Sequence, residues 1–534
     1  MRTLLLAVII LSVTGIALSQ PELPKHRNGQ FAASGNCAFC HTNLFGANTY
    51  KGKDVSQSTL WRSTMMANAK RDPFFRAKVD AEVQSVNNPA IQKAATDLCL
   101  KCHSPMGFTQ ASFDGTVKDY TFEKSESDLL AYDGVSCALC HQIQADNLGK
   151  PESFAGNYKI GKDRLVYGPY KDVLEMPMGV HENFKPVYGE QVKKSEFCAT
   201  CHTVITPKVT ENEEINGVFF EQTVFLEWKN SGYPESGINC QSCHMPAVEE
   251  AIDIAARPPH DTTKRSPFAF HQFVGGNATL QKIFIKNASE LKLPSSPSYH
   301  EDKLKETETF LKESALSLGA DTKLTGSDLE IKVKLENQAG HKLPSGIPFR
   351  RMWIHLTVKD NTGNTVFESG GYDKDGNIIG HDENFENHYN EITDPNQVQI
   401  YEAVMVDAKE KHTFSLLRAD KFIKDNRIPP VGFTSRHPSY DTSSVYGDAL
   451  NDPDFNKDAK GNEGSGSDNI LYKISGVSGG AFTVEIEVLY QTLDPKMFSY
   501  FAKYDSKNIV TFATAYKNTT VTPVVLKTLS LSTK

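Results

Sequence analysis

Five copies of Cys-x-x-Cys-His lie between Cys37 and His244: Cys37–His41, Cys99–His103, Cys137–His141, Cys198–His202 and Cys240–His244. Two thiols three positions apart can add across the two vinyl groups of one haem, and the histidine that follows in the same helical turn can bring its imidazole under the iron. The predicted chemistry is covalent attachment of five c-type haems. The thioethers would come from Cys37 and Cys40, Cys99 and Cys102, Cys137 and Cys140, Cys198 and Cys201, and Cys240 and Cys243. The proximal iron ligands would be His41, His103, His141, His202 and His244. A zinc knuckle, a redox dithiol or a disulfide framework does not require a histidine after every second cysteine. The motifs use all ten cysteines, so no thiol remains for a structural disulfide.

The opposite face of each iron is the next question, because the ligand there decides whether an iron only passes electrons or binds a substrate. Outside the motifs, residues 20–300 hold five more histidines: His26, His181, His260, His271 and His300. His181, just ahead of the fourth motif, and His260 and His271, after the fifth, are the expected distal ligands. His26, in Lys25-His26-Arg27, reads equally as a solvated basic tip, and His300 opens a predicted helix. Met65 or Met66 could replace an imidazole and raise that haem's potential, although a paired methionine on a helix suits a core. His341, in Gly340-His341-Lys342-Leu343-Pro344, belongs to a predicted tight turn and is expected to hydrogen-bond a loop rather than to reach a haem. Asp373, Asp375 and Asn377 resemble the start of a calcium loop. Its twelfth position is Asn384 rather than Glu, which favours a plain turn.

Elements must position these groups. The chain has 534 residues and a net charge of −8, which makes nucleic acid an unfavourable partner. Met1-Arg2-Thr3 followed by an apolar run to Ile16 and by Ala17-Leu18-Ser19 reads as a signal peptide over 1–19, so export to the periplasm or beyond is expected. No later run is long enough to span a membrane. A haem domain is predicted over 20–297, mostly helical and irregular. Its first cysteines are 62, 38, 61 and 42 residues apart, a rhythm that hints at a repeated two-haem unit. A linker helix is predicted over 298–321, from the stripe Leu304, Thr307, Leu311, Ala315 and Leu318, with Gly319 as its stop. Beyond it the period becomes two, as in Leu329, Ile331, Val333 and Leu335, or Phe482, Val484, Ile486 and Val488. A β-sandwich-like domain is therefore predicted over 322–534, with a long polar, loop-like insertion near 415–470. The fold class is α+β, multidomain.

Trp61-Arg62-Ser63-Thr64-Met65-Met66, Tyr167-Gly168-Pro169-Tyr170, Glu221-Gln222 with Glu227-Trp228, Cys240 to Pro246 and His271 to Asn277 resemble a family of exported multihaem cytochromes c with a cytochrome c-554-like haem domain. Gly340 to Gly346 with Arg350-Arg351 resembles the opening of the β domain that follows the haems in many members. The resemblance implies electron transfer, with axial histidines at the His181 and His271 positions. Closely held haems on one chain make a path of short electron hops. An electron carrier served by redox protein partners is therefore the leading expectation, with the β domain as a docking or self-assembly module. The alternative is a reductase of a small nitrogen or sulfur oxyanion, which needs one iron with an open position.

Overall fold

The computed structural model describes residues 21–258, 262–380, 385–478 and 480–533. The predicted leader and His260 lie outside the described residues.

The first half is built from short helices joined by long connections, and its longer helices carry clear start signals. Helix Pro73–Gln84 begins with proline in its first turn, and the Asp72 side chain accepts from Phe74 N at 2.9 Å. Helix Pro89–His103 repeats the device, with Asn88 accepting from Ala90 N at 3.0 Å. Burial drives the Asp72 carboxyl up to about 7, against the pull of the helix N–H groups.

The predicted linker helix is shorter than expected. It runs Pro297–Ser314, and Leu316–Thr325 is already a strand. Leu316, Leu318 and Ala320 belong to a period of two that overlaps the end of the helical stripe. That strand pairs antiparallel with Asp328–Asn337, Leu318 facing Leu335, through a turn at Gly326. Gly319, read as a helix stop, sits inside the strand.

Two sheets follow. One has the order Leu316–Thr325, Asp328–Asn337, Ser467–Ile474, Glu391–Ile392, with the last pair parallel. The other has the order Thr365–Ser369, Arg351–Lys359, Thr483–Gln491, Val524–Ser532, and Ile400–Tyr401 also pairs with Arg351–Lys359. Their facing sides share one core: Leu329, Ile331, Val333 and Leu335 meet Met352, Ile354, Leu356 and Val358, and Val484, Ile486 and Val488. The register puts Ile354 opposite Val488 and Leu356 opposite Ile486, so inward residues pair with inward residues.

The stretch 415–470 is not the open loop its polarity suggested. It contains strand Lys421–Asp425, paired with Ala403–Val406, and buries Phe433, Ala449 and Phe455. Lys424 pairs with Glu402 and Asp425 with Arg427 in buried ion pairs, so part of the polar run faces inward. Asp373 accepts from the backbone N–H groups of Asp375 and Asn377 in an ordinary turn.

A second apolar core joins the halves. Phe74, Ala77 and Ala81 of Pro73–Gln84 and Leu280 and Ile283 of helix Ala278–Asn287 pack with Phe349, Phe501, Ile509 and Phe512. Phe74 meets Phe512 edge-on at 5.4 Å between centroids.

Two stability predictions follow from this packing. Ile354→Ala, at a fully buried position, is expected to cost about 2–5 kcal/mol in urea unfolding, with the haem content unchanged. Asp72 favours its neutral form in the folded state, so its contribution is full below the ordinary carboxylate range and is lost as pH rises through about 7. Asp72→Asn keeps the cap acceptor, and its advantage over the parent should grow between pH 5 and pH 8 by up to about 2.5 kcal/mol.

Candidate haem centres

Each motif closes on a helical turn. Cys37 lies in Ser34–Ala38, Cys99 to His103 end the helix Pro89–His103, and the other three motifs lie in Cys137–Cys140, Ser195–His202 and Cys240–His244. Cysteines at i and i+3 of a helix share one face, which is the arrangement one porphyrin edge needs. The fifth helix is nucleated by a capping box, in which Asn239 accepts from Ser242 N and the Ser242 hydroxyl accepts from Asn239 N. All ten cysteines are free of disulfides.

The imidazoles share one hydrogen-bond habit. Nδ1–H of His41 donates to Ile254 O at 2.8 Å, of His103 to Ala69 O at 3.2 Å, of His141 to Tyr167 O at 2.7 Å and of His244 to Val274 O at 2.7 Å. A carbonyl only accepts, so the proton is on Nδ1 and the Nε2 lone pair is free for a metal. Burial drives these rings toward the neutral form, His103 down to about 4. His202 makes no such bond among the described residues, yet burial brings it to about 4 as well.

Two further histidines follow the same rule. His271 donates from Nδ1 to Ala269 O at 3.2 Å, and its ring lies 6.4 Å from that of His141 with 22° between their planes. His341 donates from Nδ1 to Lys342 O at 3.1 Å, and its ring lies 6.4 Å from that of His244 with 16° between planes. These rings do not touch: a true stack is seen at Phe75 and His103, 3.7 Å apart. Imidazole nitrogen binds a first-row metal at about 2 Å, so two rings on opposite sides of one ion have centroids about 6.3 Å apart. His341 thus bonds its own loop, as expected, and its ring also faces that of His244.

His181 sits beside the first motif, its ring 4.6 Å from that of Phe39, with Nδ1–H donated to Glu182 Oε1 at 2.7 Å. Burial would raise the Glu182 carboxyl, but hydrogen bonds from Arg27 and His181 hold it below its usual range. His300 is excluded from ligation: Nε2 is bonded to Ser295 Oγ at 2.7 Å and Nδ1 to Gln281 Oε1 at 2.9 Å. His26 is exposed. Met65 packs at the edge of the core that joins the halves.

The motifs also approach one another. The Cys37 thiol lies against that of Cys137, Cys201 against Cys102, and Cys198 against Cys240. Cys140 is close to both Cys198 and Cys201. Local contacts explain each approach. Asp133, ahead of the third motif, accepts from Ser34 N and Ser34 Oγ of the first at 2.7 Å each. Gly156, at φ 75°, fits between the second and fourth motifs, where a Cβ would meet Lys101 Cβ at 2.7 Å. Ser195 Oγ of the fourth accepts from Cys240 N of the fifth at 3.0 Å. The first motif thus meets the third, the second meets the fourth, and the fourth meets the fifth.

The donor set fits haem c: paired thiols on helical turns, each followed by an imidazole that its surroundings drive toward the neutral form. An additional sign is Arg350, near His202 and His341. Its Nη atoms donate to Ser345 O at 2.7 Å and Asn277 Oδ1 at 2.9 Å, while Nε is buried without a partner among the described residues. A haem propionate is the kind of acceptor such a group requires.

One other cluster, His388 with Asp452 and Asp468, is buried within the sandwich. His388 Nδ1 accepts from Gln399 Nε2 at 2.9 Å and Asn426 Nδ2 at 3.0 Å. Both amides are oriented by backbone donors, Tyr389 N on Gln399 Oε1 and Glu402 N on Asn426 Oδ1. The proton of His388 is therefore on Nε2, donated to Asp452 Oδ2 at 3.1 Å. That is the reverse of the motif histidines, and it makes the cluster a polar network rather than a metal centre.

Among the described residues no helix is long and apolar enough to cross a membrane. No family model and no curated protein matches the chain. Among solved structures it is similar to a penta-haem cytochrome c552 from Thermochromatium tepidum, with a TM-score of 0.54 and 17% sequence identity over 95% of this chain and 100% of that one. The chain therefore shares the overall fold of a penta-haem cytochrome.

Proposed function

We propose that the chain is an exported five-haem c-type cytochrome that carries electrons between redox proteins outside the cytoplasm. The observation that carries this reading is the contiguity of the five motifs, each with two thiols and an imidazole driven toward its neutral form. Bound haems would supply reversible one-electron oxidation and reduction of iron.

The chain's own residues do the rest. The cysteine pairs would hold each haem, and carbonyls such as Ile254 O and Tyr167 O keep the imidazole Nε2 atoms unprotonated. His271, facing His141, is read as the second axial ligand of the third centre. Contacts between motifs, first with third, second with fourth and fourth with fifth, would set which haems are neighbours. Covalent links and buried surroundings keep these spacings constant while electrons pass. The sheets are read as a module for docking or self-assembly, and His181 and His260 are read as further distal ligands by their sequence placement.

Haem content and low-temperature EPR of the oxidised holoprotein test the reading. Five haems per chain, with low-spin signals at the third and fifth centres, are expected. Intramotif disulfides or bound zinc in place of haem would overturn it, and a stoichiometric high-spin signal that shifts with nitrite would favour an oxyanion reductase. His271→Ala is expected to convert one-fifth of the iron from low to high spin without loss of haem.

A further inference from the structure

We infer that His341, donated by the β half of the chain, is the distal iron ligand of the fifth haem, so that this centre is completed only when the two halves dock. The inference rests on the five-haem reading above. Two imidazoles 6.4 Å apart and 16° from parallel leave a gap that suits one metal ion and is too wide for a stack. Both rings give Nδ1–H to a backbone carbonyl, and both keep Nε2 free. The same geometry recurs at His141 and His271.

The loop that presents His341 is held from several sides. Asn337 Nδ2 donates to His341 O at 2.8 Å, and Tyr233 Oη donates to Gln338 O at 2.7 Å. Gly340 lies against Trp228, where a Cβ would come within 3.3 Å of the indole. The next residue, Lys342, gives its backbone N–H to Glu227 Oε2 at 3.0 Å and its ammonium to Asp425 Oδ2 at 2.7 Å. Arg427 bridges Asp425 and Glu227, and all four ionic side chains are buried. Leu343 and Ile428 exchange backbone hydrogen bonds beyond them.

The proximal side is tied to the β half as well. Val274 O, which orients His244, lies two residues before Gly276, whose carbonyl accepts from Tyr490 Oη and Thr492 Oγ1 at 2.9 Å each. The proximal ring is thus referred to the end of strand Thr483–Gln491, and the distal ring to the end of Asp328–Asn337 and to Lys421–Asp425, all within the β half. A ligand positioned this firmly loses little entropy on binding.

The test uses full-length holoprotein carrying His341→Ala or His341→Met. Haem content checks the underlying reading: a parent without five haems defeats that reading, whatever its spin state. With five haems present, His341→Ala should move one-fifth of the ferric iron from low to high spin, and added imidazole should restore it. His341→Met should stay low spin with one midpoint potential raised, because thioether ligation favours the reduced state. The double variant with His271→Ala should show two-fifths high spin. A five-haem His341→Ala protein with an unchanged low-spin spectrum would overturn the inference, as would high-spin iron that imidazole fails to rescue.

Discussion

The Nδ1–H···O=C bond is the constraint on which the motif region depends. A histidine binds metal through an unprotonated nitrogen, and a buried ring settles which nitrogen that is by the partner offered to the other one. Here the partner is a backbone carbonyl, and it is rarely local. His41 reaches Ile254, 213 residues away, while His103, His141 and His244 reach Ala69, Tyr167 and Val274. The stretches between the motifs and after the last one, which look like irregular filler, are the source of these acceptors. Their paths are therefore set by the imidazoles they orient, and this explains why so much of the first half is neither helix nor sheet.

The same requirement ties the halves together. Asn277 accepts from Arg350, Gly276 accepts from Tyr490, and Pro73–Gln84 packs on Lys507–Lys517. Apolar area supplies the attraction, through Phe74, Ile283, Phe349 and Phe512. The buried group of Lys342, Asp425, Arg427 and Glu227 contributes differently. Burial would raise the Asp425 carboxyl, yet Arg427 and Lys342 hold it below its ordinary value. Desolvation offsets much of the attraction in such a cluster, so its main effect is on geometry: few other arrangements satisfy all four ions. That geometry places the His341 loop.

The structure also separates histidines that composition treats alike. His300 is buried and spends both nitrogens on Ser295 and Gln281. His388 is buried with its proton on the nitrogen that faces the carboxylates. Neither offers a lone pair to a metal, whereas His271 and His341 do. Which residues surround a ring matters more than whether it is buried.

Thiol spacing and the histidine after it are local features, so the five attachment sites were legible in the chain alone, as were the alternating strands Asp328–Asn337 and Thr483–Gln491. Local pattern also misled where two signals overlapped. Leu316 and Leu318 continued a helical stripe and opened a strand, and strand pairing with Asp328–Asn337 prevailed because it satisfies a full backbone ladder. The polar run near 415–470 read as loop because mutual ion pairing leaves no trace in composition. The facing of His341 and His244, and the order in which the motifs meet, were decided by tertiary structure alone. Both depend on contacts between segments far apart in the chain, and nothing in the residues around His341 encodes the distance to a partner that only folding brings near.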